Sequence, residues 1–193
     1  MSLTWFRALR DVSDEDLMRR AQGGSGRALE EIYRRYSHPL LRYFYRMLWQ
    51  DSAKAEDFLH DLFIKIVERP TRFDVDRKFS TWVYSVAHNM CKNEYRKQSF
   101  RAQQTQNNVH EQVGDNSAEM LDHRSFQERL EIILRAEPEE LRTLFFLRYE
   151  LDLTFREISE VVQIPEGTVK SRLFYFVKKL SSELEYYKVI LEK

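Results

Sequence analysis

The stretch from Thr154 to Leu180 restricts the fold more than any other part of this sequence. Its first part carries one apolar stripe at helical spacing, formed by Ile158, Val161 and Val162. The segment Gln163-Ile164-Pro165 interrupts that pattern, and a proline fits the first turn of a new helix. A second apolar stripe follows at helical spacing, formed by Val169, Leu173, Phe176 and Leu180. The pattern predicts two helices joined by a tight turn.

Two interpretations of this pair of helices stay open at the level of the residues. One is a helix-turn-helix, whose second helix enters the major groove of DNA. The other is an ordinary helical hairpin with a solvated, charged face. Small polar, basic and aromatic residues outside the second apolar stripe favour the helix-turn-helix. They are the candidate DNA contacts: Thr168, Lys170, Ser171, Arg172 and Tyr175.

The charges of the chain are balanced overall but segregated along the sequence. The 193 residues include 31 basic and 31 acidic side chains, so the formal net charge is zero. The stretch 77–101 is strongly basic, whereas 102–122 contains acidic residues and no Lys or Arg. A neutral total is therefore compatible with one DNA-facing surface beside an acidic connector.

Several classes of protein are disfavoured by what the sequence lacks. The one cysteine, Cys91, excludes a disulfide within the chain and a multi-thiolate zinc site. No run approaches the roughly 20 apolar residues that a membrane span needs. Glycine-rich phosphate loops, nucleophile elbows and clusters of metal ligands are not recognisable. We expect a cytoplasmic protein that is not an enzyme, has no cofactor or metal and does not insert into a membrane.

Helical periodicity along the whole chain predicts an all-α fold with two helical domains. The expected domains cover 1–100 and 123–193, and the polar stretch 101–122 is expected to be a flexible linker. We expect Ser13 and Ser80 to cap the first and fourth helices, and Pro39 to kink or split the second.

The third and fourth helices carry candidate binding faces. The third, from about Ser52 to Glu68, has a polar outer face that is either solvated or a docking surface for a helical partner. In the fourth, Val83 and Ala87 belong to the expected buried side, together with Val86 and Met90. Another side combines polar and basic residues: Thr81, Ser85, His88, Lys92 and Arg96. With the nearby aromatic residues this composition suits single-stranded DNA, although a tryptophan such as Trp82 is by itself more often a core residue.

Three segments in chain order resemble bacterial RNA polymerase sigma factors of the extracytoplasmic-function group. They are AEDFLHDLFIKIVER, FSTWVYSVAHNMCKNEYRK and EPEELRTLFFLRYELDLTFREISEVVQIPEGTVKSRLFYFVKKL. The sequence departs from the group at His60, where Gln is usual, and at Ser85 and His88, where basic residues are common. Gln163 stands where Gly is usual, and it must adopt a turn conformation that Gly takes freely.

The resemblance implies a transcription initiation factor that binds core RNA polymerase and directs it to promoters. By the resemblance, the third helix docks on the polymerase clamp through Asp57, His60, Asp61 and Phe63. The fourth helix and the loop 73–79 before it would recognise and melt the −10 element, with a flipped base held in that loop. The candidate contacts there are Arg77, Lys78, Trp82, Tyr84, Asn89 and Lys92. The C-terminal domain would read the −35 element, and an anti-sigma factor is the expected inhibitory partner.

One alternative of another class is kept beside the sigma factor. A stand-alone helix-turn-helix regulator would use its N-terminal helices for dimerisation or sensing, and would bind duplex DNA alone on a two-fold site.

Overall fold

The computed structural model describes residues 9–104 and 123–184, and every regular element in those two ranges is helical. The elements in chain order are α1 (Asp14–Gln22), α2 (Gly26–Met47), α3 (Ser52–Glu68), a 3-10 turn (Pro70–Arg72), α4 (Phe79–Gln104), α5 (His123–Ala136), α6 (Glu139–Tyr149), α7 (Phe155–Val162) and α8 (Glu166–Glu183). The prediction of an all-α fold is confirmed.

The chain forms two compact units. One contains the described residues up to Tyr95 together with Arg156–Gln163, and the other contains Arg96–Phe155 and the described residues from Ile164 onward. Helix α4 continues through 101–104, which the sequence had assigned to the linker. The rest of the expected linker, 105–122, lies outside the described residues.

Helix α1 begins at the cap that the sequence predicts. The Ser13 hydroxyl accepts a hydrogen bond from the Asp16 backbone N–H at 3.1 Å, which satisfies one of the free donors of the first turn. At the other end Gly24 adopts a φ of 89°, a conformation that glycine reaches without steric cost.

Helix α2 runs unbroken through Pro39 for 22 residues. Of the two effects expected of this proline, a kink or a split, the split is therefore excluded. Proline removes one backbone donor, but its fixed φ remains helical. Burial of Ile32, Leu40 and Phe44 along one side keeps both halves of α2 on the same core.

The core of the first unit lies between α2 and its neighbours α1 and α3. Leu17 and Met18 of α1 and Leu62 of α3 are fully buried. Aromatic rings contribute to this core, as the Phe44 and Phe58 ring centroids lie 5.6 Å apart in an edge-to-face arrangement. Each buried side chain of this size stabilises the fold by roughly 1.5–3 kcal/mol relative to exposure.

Helix α4 differs from the sequence-based description in two respects. It begins at Phe79, so Ser80 lies inside the first turn and does not cap the helix. Thr81 and His88 are buried, so their assignment to an exposed polar side was wrong. The buried side is centred on Phe79, Val83, Tyr84, Ala87 and Cys91.

In the second unit α6 packs against α8. The predicted apolar stripe of α8 is confirmed, because Val169, Leu173, Phe176 and Leu180 are all buried. The Phe145 ring of α6 meets the Phe176 ring edge-to-face at 5.7 Å. Helix α8 ends at Glu183, and an extension of it towards Ile190 would lie outside the described residues.

Candidate nucleic-acid interfaces and docking face

Helix α8 presents a polar and aromatic surface on the side opposite its buried stripe. Ser171 and Tyr175 lie on this outer side, and 69% of the Tyr175 side chain is exposed. The Ser171 hydroxyl donates to the Thr168 backbone oxygen at 3.1 Å, and Thr168 is half-buried at the edge of the surface. The core therefore holds one side of the helix while the other stays available to a ligand.

The two cations among the α8 candidates are held by carboxylates. Arg172 Nη1 donates to Glu140 Oε2 of α6 at 2.6 Å, and Lys170 Nζ lies 2.6 Å from Glu166 Oε1. Lys170 also lies over the Phe155 ring, 5.7 Å from its centroid. Both cations would have to exchange or share these partners to bind phosphate or a base edge.

Sequence reasoning missed Phe174, which is 65% exposed next to Tyr175. Phe174 lines an apolar groove of about 590 Å³ together with Tyr149, Phe155 and Val177. Its position outside the Val169–Leu180 stripe was the available signal, because an aromatic residue off the buried stripe of a helix must face solvent or a neighbour.

The turn between α7 and α8 contains a residue in the left-handed region. Gln163 has a φ of 58°, and its side-chain amide donates to the Glu160 backbone oxygen at 2.5 Å. The expectation that Gln163 must adopt a conformation suited to glycine is confirmed. Helix α7 begins directly after Thr154, and α8 begins directly after Pro165.

Helix α4 aligns one half-buried aromatic and several exposed polar residues on a single side. Trp82, Asn89 and Arg96 are spaced by seven residues, and Lys92 lies beside them. Trp82 is half-buried because it packs on Phe73 and Phe79, with ring centroids at 5.3 and 5.7 Å. We call Trp82, Asn89, Lys92 and Arg96 the α4 outer row.

Tyr84 does not belong to the α4 outer row. Only 4% of Tyr84 is exposed, its ring lies 5.9 Å from that of Tyr43, and burial raises the pKa of its hydroxyl. Its assignment as a DNA contact was wrong, because a base cannot stack on a ring enclosed in the core. Tyr84 follows Trp82 by two residues, so the two side chains point to different sides of the helix.

The loop between the 3-10 turn and α4 carries the two basic candidates. Arg77 and Lys78 are both exposed. The Asp74 carboxylate accepts from the Asp76 backbone N–H at 3.1 Å, and the Arg77 N–H donates to the Asp74 carbonyl at 3.0 Å. These bonds form a tight turn that ends beside the first turn of α4.

Helix α3 exposes Asp57, His60 and Asp61 together, as the sequence predicts. Phe63 is only 8% exposed and packs edge-to-face on Tyr33 of α2 at 4.7 Å. Sequence reasoning did not place Ile64 or Val67 on this outer face, yet they are 39% and 56% exposed. We call Asp57, His60, Asp61, Ile64 and Val67 the α3 outer face. Ile64 follows Asp57 by seven residues, and that spacing was the signal for its exposure.

Two further features are absent from the described residues. No helix among them is long and apolar enough to cross a membrane. Within the same two ranges, no three His, Cys, Asp or Glu side chains lie close enough together to hold a metal ion.

Comparison with known families assigns the two ends of the chain. Residues 32–101 match sigma-70 region 2, and residues 138–180 match sigma-70 region 4. The RNA polymerase sigma-H factor of Pseudomonas aeruginosa is 30% identical over 176 residues, which cover 86% of this chain and 91% of the relative. The chain belongs to the sigma-70 family of RNA polymerase sigma factors, in the extracytoplasmic-function (ECF) group.

Further relatives of this sigma factor agree with the assignment. The ECF RNA polymerase sigma-E factor of Escherichia coli is 31% identical over 174 residues, covering 84% of this chain and 90% of the relative. CnrH, solved in complex with the cytosolic domain of CnrY, has the same fold with a TM-score of 0.67 at 20% identity, covering 90% of this chain and 97% of that one. The sigma factor RpoE from Bartonella quintana, solved with the anti-sigma factor NepR, has a TM-score of 0.63 at 21% identity, covering 81% and 98%.

The family assignment decides between the two classes left open by the residues. The chain is an alternative sigma factor that directs core RNA polymerase to promoters, and its relatives are transcription initiation factors. The predicted resemblance is confirmed, and the stand-alone regulator is not supported.

Proposed function

We propose that this sigma factor reads the −35 element with the outer side of α8, holds the melted −10 strand with the α4 outer row, and docks on polymerase through the α3 outer face. The observation that carries the proposal is the division of α8 into a fully buried stripe and an exposed opposite side bearing Ser171 and Tyr175. A rigid helix with a polar outer side is the form in which a helix-turn-helix reads base edges in the major groove.

For the −35 element we assign the roles by exposure and chemistry. Tyr175 and Ser171 would contact base edges or phosphates directly, because both are exposed on the outer side of the helix. Arg172 would bind phosphate or guanine after exchanging Glu140 for DNA. Lys170 and Thr168 at the edge of the surface would position the helix on the backbone.

For the −10 element the α4 outer row supplies the two interactions that single-stranded DNA needs. The Trp82 ring offers a stacking surface, and stacking of one base contributes about 1–3 kcal/mol. Lys92 and Arg96, with Arg77 and Lys78 of the loop, would follow the phosphates. Asn89 lies between Trp82 and Arg96 and would hydrogen-bond a base edge.

For polymerase we propose the α3 outer face, with Asp57, His60 and Asp61 as polar contacts and Ile64 and Val67 as apolar contacts towards the C-terminal end of the helix. Such a mixture of apolar and polar contacts is typical of transient interfaces. Phe63 is buried and would act indirectly, by supporting the exposed Tyr33 ring against which it packs.

The cellular setting follows from these contacts. The sigma factor would act in the cytoplasm, where polymerase and promoters are, and would be held inactive by an anti-sigma factor. Support for that partner comes from the two structural neighbours above, of which RpoE was solved with an anti-sigma factor. We further propose the domain division 1–100, 101–122 and 123–193, with the acidic linker passing through the positively charged RNA channel of polymerase.

The decisive experiment mixes the purified chain with core polymerase and a library of promoters randomised at both elements. We expect the holoenzyme to select a defined pair of elements and to start transcription downstream of them. The variant Ile64→Ser should lower the affinity for core polymerase at unchanged thermal stability, whereas Lys65→Ala, an exposed control on the same helix, should not. Tight binding of the isolated chain to a two-fold duplex site, without directed transcription, would contradict the proposal.

A further inference from the structure

One side chain of helix α1, that of Gln22, holds the start of the segment that precedes α4. Gln22 Nε2 donates to two backbone oxygens of that loop, Pro70 O at 3.1 Å and Phe73 O at 2.8 Å. Both bonds are partly buried, and they join residues about fifty positions apart in the chain. One carboxamide therefore pairs the Phe73 carbonyl and adds a second donor to the Pro70 carbonyl, which also accepts from the Phe73 N–H at 3.3 Å.

The same helix holds the other end of the loop. Glu15 Oε1 accepts from the Phe79 backbone N–H at 2.9 Å, at the first residue of α4. A carboxylate at this position satisfies a free helix donor and interacts favourably with the helix dipole. Ser80 does not serve as the cap: its hydroxyl is buried and, within the described residues, has no hydrogen-bond partner. The cap of α4 thus comes from another helix.

Between these two buried anchors most of the loop is exposed. Phe73 is fully buried against Phe79 and Trp82, whereas Asp74, Arg77 and Lys78 face solvent. The first residue of the α4 outer row, Trp82, packs on both anchored residues. Fixing the two ends from α1 therefore fixes the position of the stacking ring and restricts the loop that carries the two basic residues.

We propose that Glu15 and Gln22 are positioning residues for capture of the melted −10 strand. They order the loop before DNA arrives, so that binding does not have to supply the entropy of ordering it. This inference rests on the proposed −10 role of the α4 outer row, and it adds α1 to the elements that determine promoter opening.

The test uses holoenzyme and a promoter obtained from the selection described above. The probes are a fork-junction DNA whose non-template −10 segment is single-stranded and carries 2-aminopurine, and a duplex containing the −35 element alone. Gln22→Glu keeps the shape of the side chain but places a carboxylate against two carbonyls. Glu15→Ala removes the acceptor for Phe79 N–H, whereas Glu15→Gln keeps one. Arg20→Gln, exposed on α1, is the control with the same change in net charge as Gln22→Glu.

We expect Gln22→Glu and Glu15→Ala to weaken binding of the fork junction by roughly five- to tenfold, the effect of losing a partly buried hydrogen bond. The 2-aminopurine signal of the fork junction should change in the same two variants. Affinity for the −35 duplex and for core polymerase should stay the same, and Glu15→Gln should restore fork-junction binding. Should Gln22→Glu fail to fold, Gln22→Met removes the donor without adding charge and gives the same comparison.

Two results would overturn the positioning role. One is an equal loss on the fork junction and on the −35 duplex, which would make the two residues general supports of the fold. The other is unchanged fork-junction binding in both Gln22→Glu and Glu15→Ala. If Lys92→Ala weakens fork-junction binding while those variants do not, only the positioning role fails. If Lys92→Ala has no effect either, the proposed −10 function fails with it.

Discussion

Two single residues close to the proposed −35 surface carry an energetic cost: Gln163 in backbone strain, and Arg172 in an ion pair that DNA would have to replace. Gln163 adopts a φ of 58° in the turn before α8, a region that costs an L-residue about 1–2 kcal/mol. Arg172, the cation proposed to reach DNA, is bound to Glu140 in the free protein. The first feature affects stability, and the second affects affinity for DNA.

We expect Gln163→Gly to raise the free energy of unfolding by about 0.5 kcal/mol. Glycine removes the left-handed strain, although it loses more backbone entropy on folding and gives up the bond to the Glu160 carbonyl. Urea unfolding monitored by circular dichroism measures the change. Gln163→Val is the matched control and should destabilise, because a β-branched residue tolerates this region poorly. A glycine variant less stable than the parent would show that the side-chain bond outweighs the strain.

We expect Glu140→Gln to strengthen binding of −35 duplex about threefold at low salt, because Arg172 no longer has to leave a carboxylate. Fluorescence anisotropy with holoenzyme measures the affinity. The gain should vanish in an Arg172→Ala background, since the two residues act through one contact. Glu30→Gln, an exposed change of equal charge on α2, controls for net charge. A gain that persists without Arg172 would contradict a role for this ion pair.

At the scale of the element, α4 separates core from binding surface within one helix. Tyr84, Ala87 and Cys91 are buried, while Asn89 and Lys92 between and beside them are exposed. The sequence placed Thr81 and His88 on the polar side because their side chains are polar, and Tyr84 among the candidate −10 contacts because aromatic rings can stack on bases. The helix buries them because the side that α4 turns to the core includes those positions.

This division predicts opposite phenotypes for two neighbouring substitutions. Lys92→Ala should leave thermal stability unchanged and reduce the dependence of fork-junction affinity on salt by about one phosphate contact. Tyr84→Ala should lower the free energy of unfolding by about 3–5 kcal/mol, the cost of emptying a buried aromatic site. Salt titrations with holoenzyme and urea unfolding of the free chain distinguish them. If the salt dependence is unchanged in Lys92→Ala, Lys92 does not contact phosphate.

At the scale of the whole molecule, we expect stability to depend on an ionic cluster that joins α2 to the first residue of α1 and to Val12 before it. Glu31 Oε1 accepts from Arg34 and Arg35 at 2.6 and 2.8 Å, and Arg35 also donates to Asp14 at 2.6 Å and to the Val12 carbonyl at 2.9 Å. Hydrogen bonding to Arg34 is the main cause that lowers the pKa of the buried Glu31 from 4.5 to about 2, against the opposing effect of burial.

The lowered pKa of Glu31 determines whether the stability of the fold rises or falls with pH. A carboxyl group with a depressed folded-state pKa stabilises the fold fully above its unfolded value, near pH 4.5, and loses this contribution as the pH falls towards 2. We expect the loss to be about 2 kcal/mol, since Arg34 is half-exposed and screened by solvent. Urea unfolding at several pH values between 7 and 2.5 measures it. Glu31→Gln should be less stable at pH 7 and flatter over this range, and an unaltered slope would exclude Glu31 as the group responsible.

The sequence by itself determined the helices and the cap of α1 at Ser13. It determined as well the apolar stripes of α7 and α8 and the strained turn at Gln163. These features follow from spacing of three and four residues and from backbone sterics, which are local. It also determined the family, because three motifs occur in order. Only the tertiary structure decided that Tyr84 and His88 are buried, that Ile64 and Val67 are exposed, and that Glu15 and Gln22 of α1 hold the loop before α4. Burial and long-range hydrogen bonds depend on which helix packs against which side, and no local pattern records that choice.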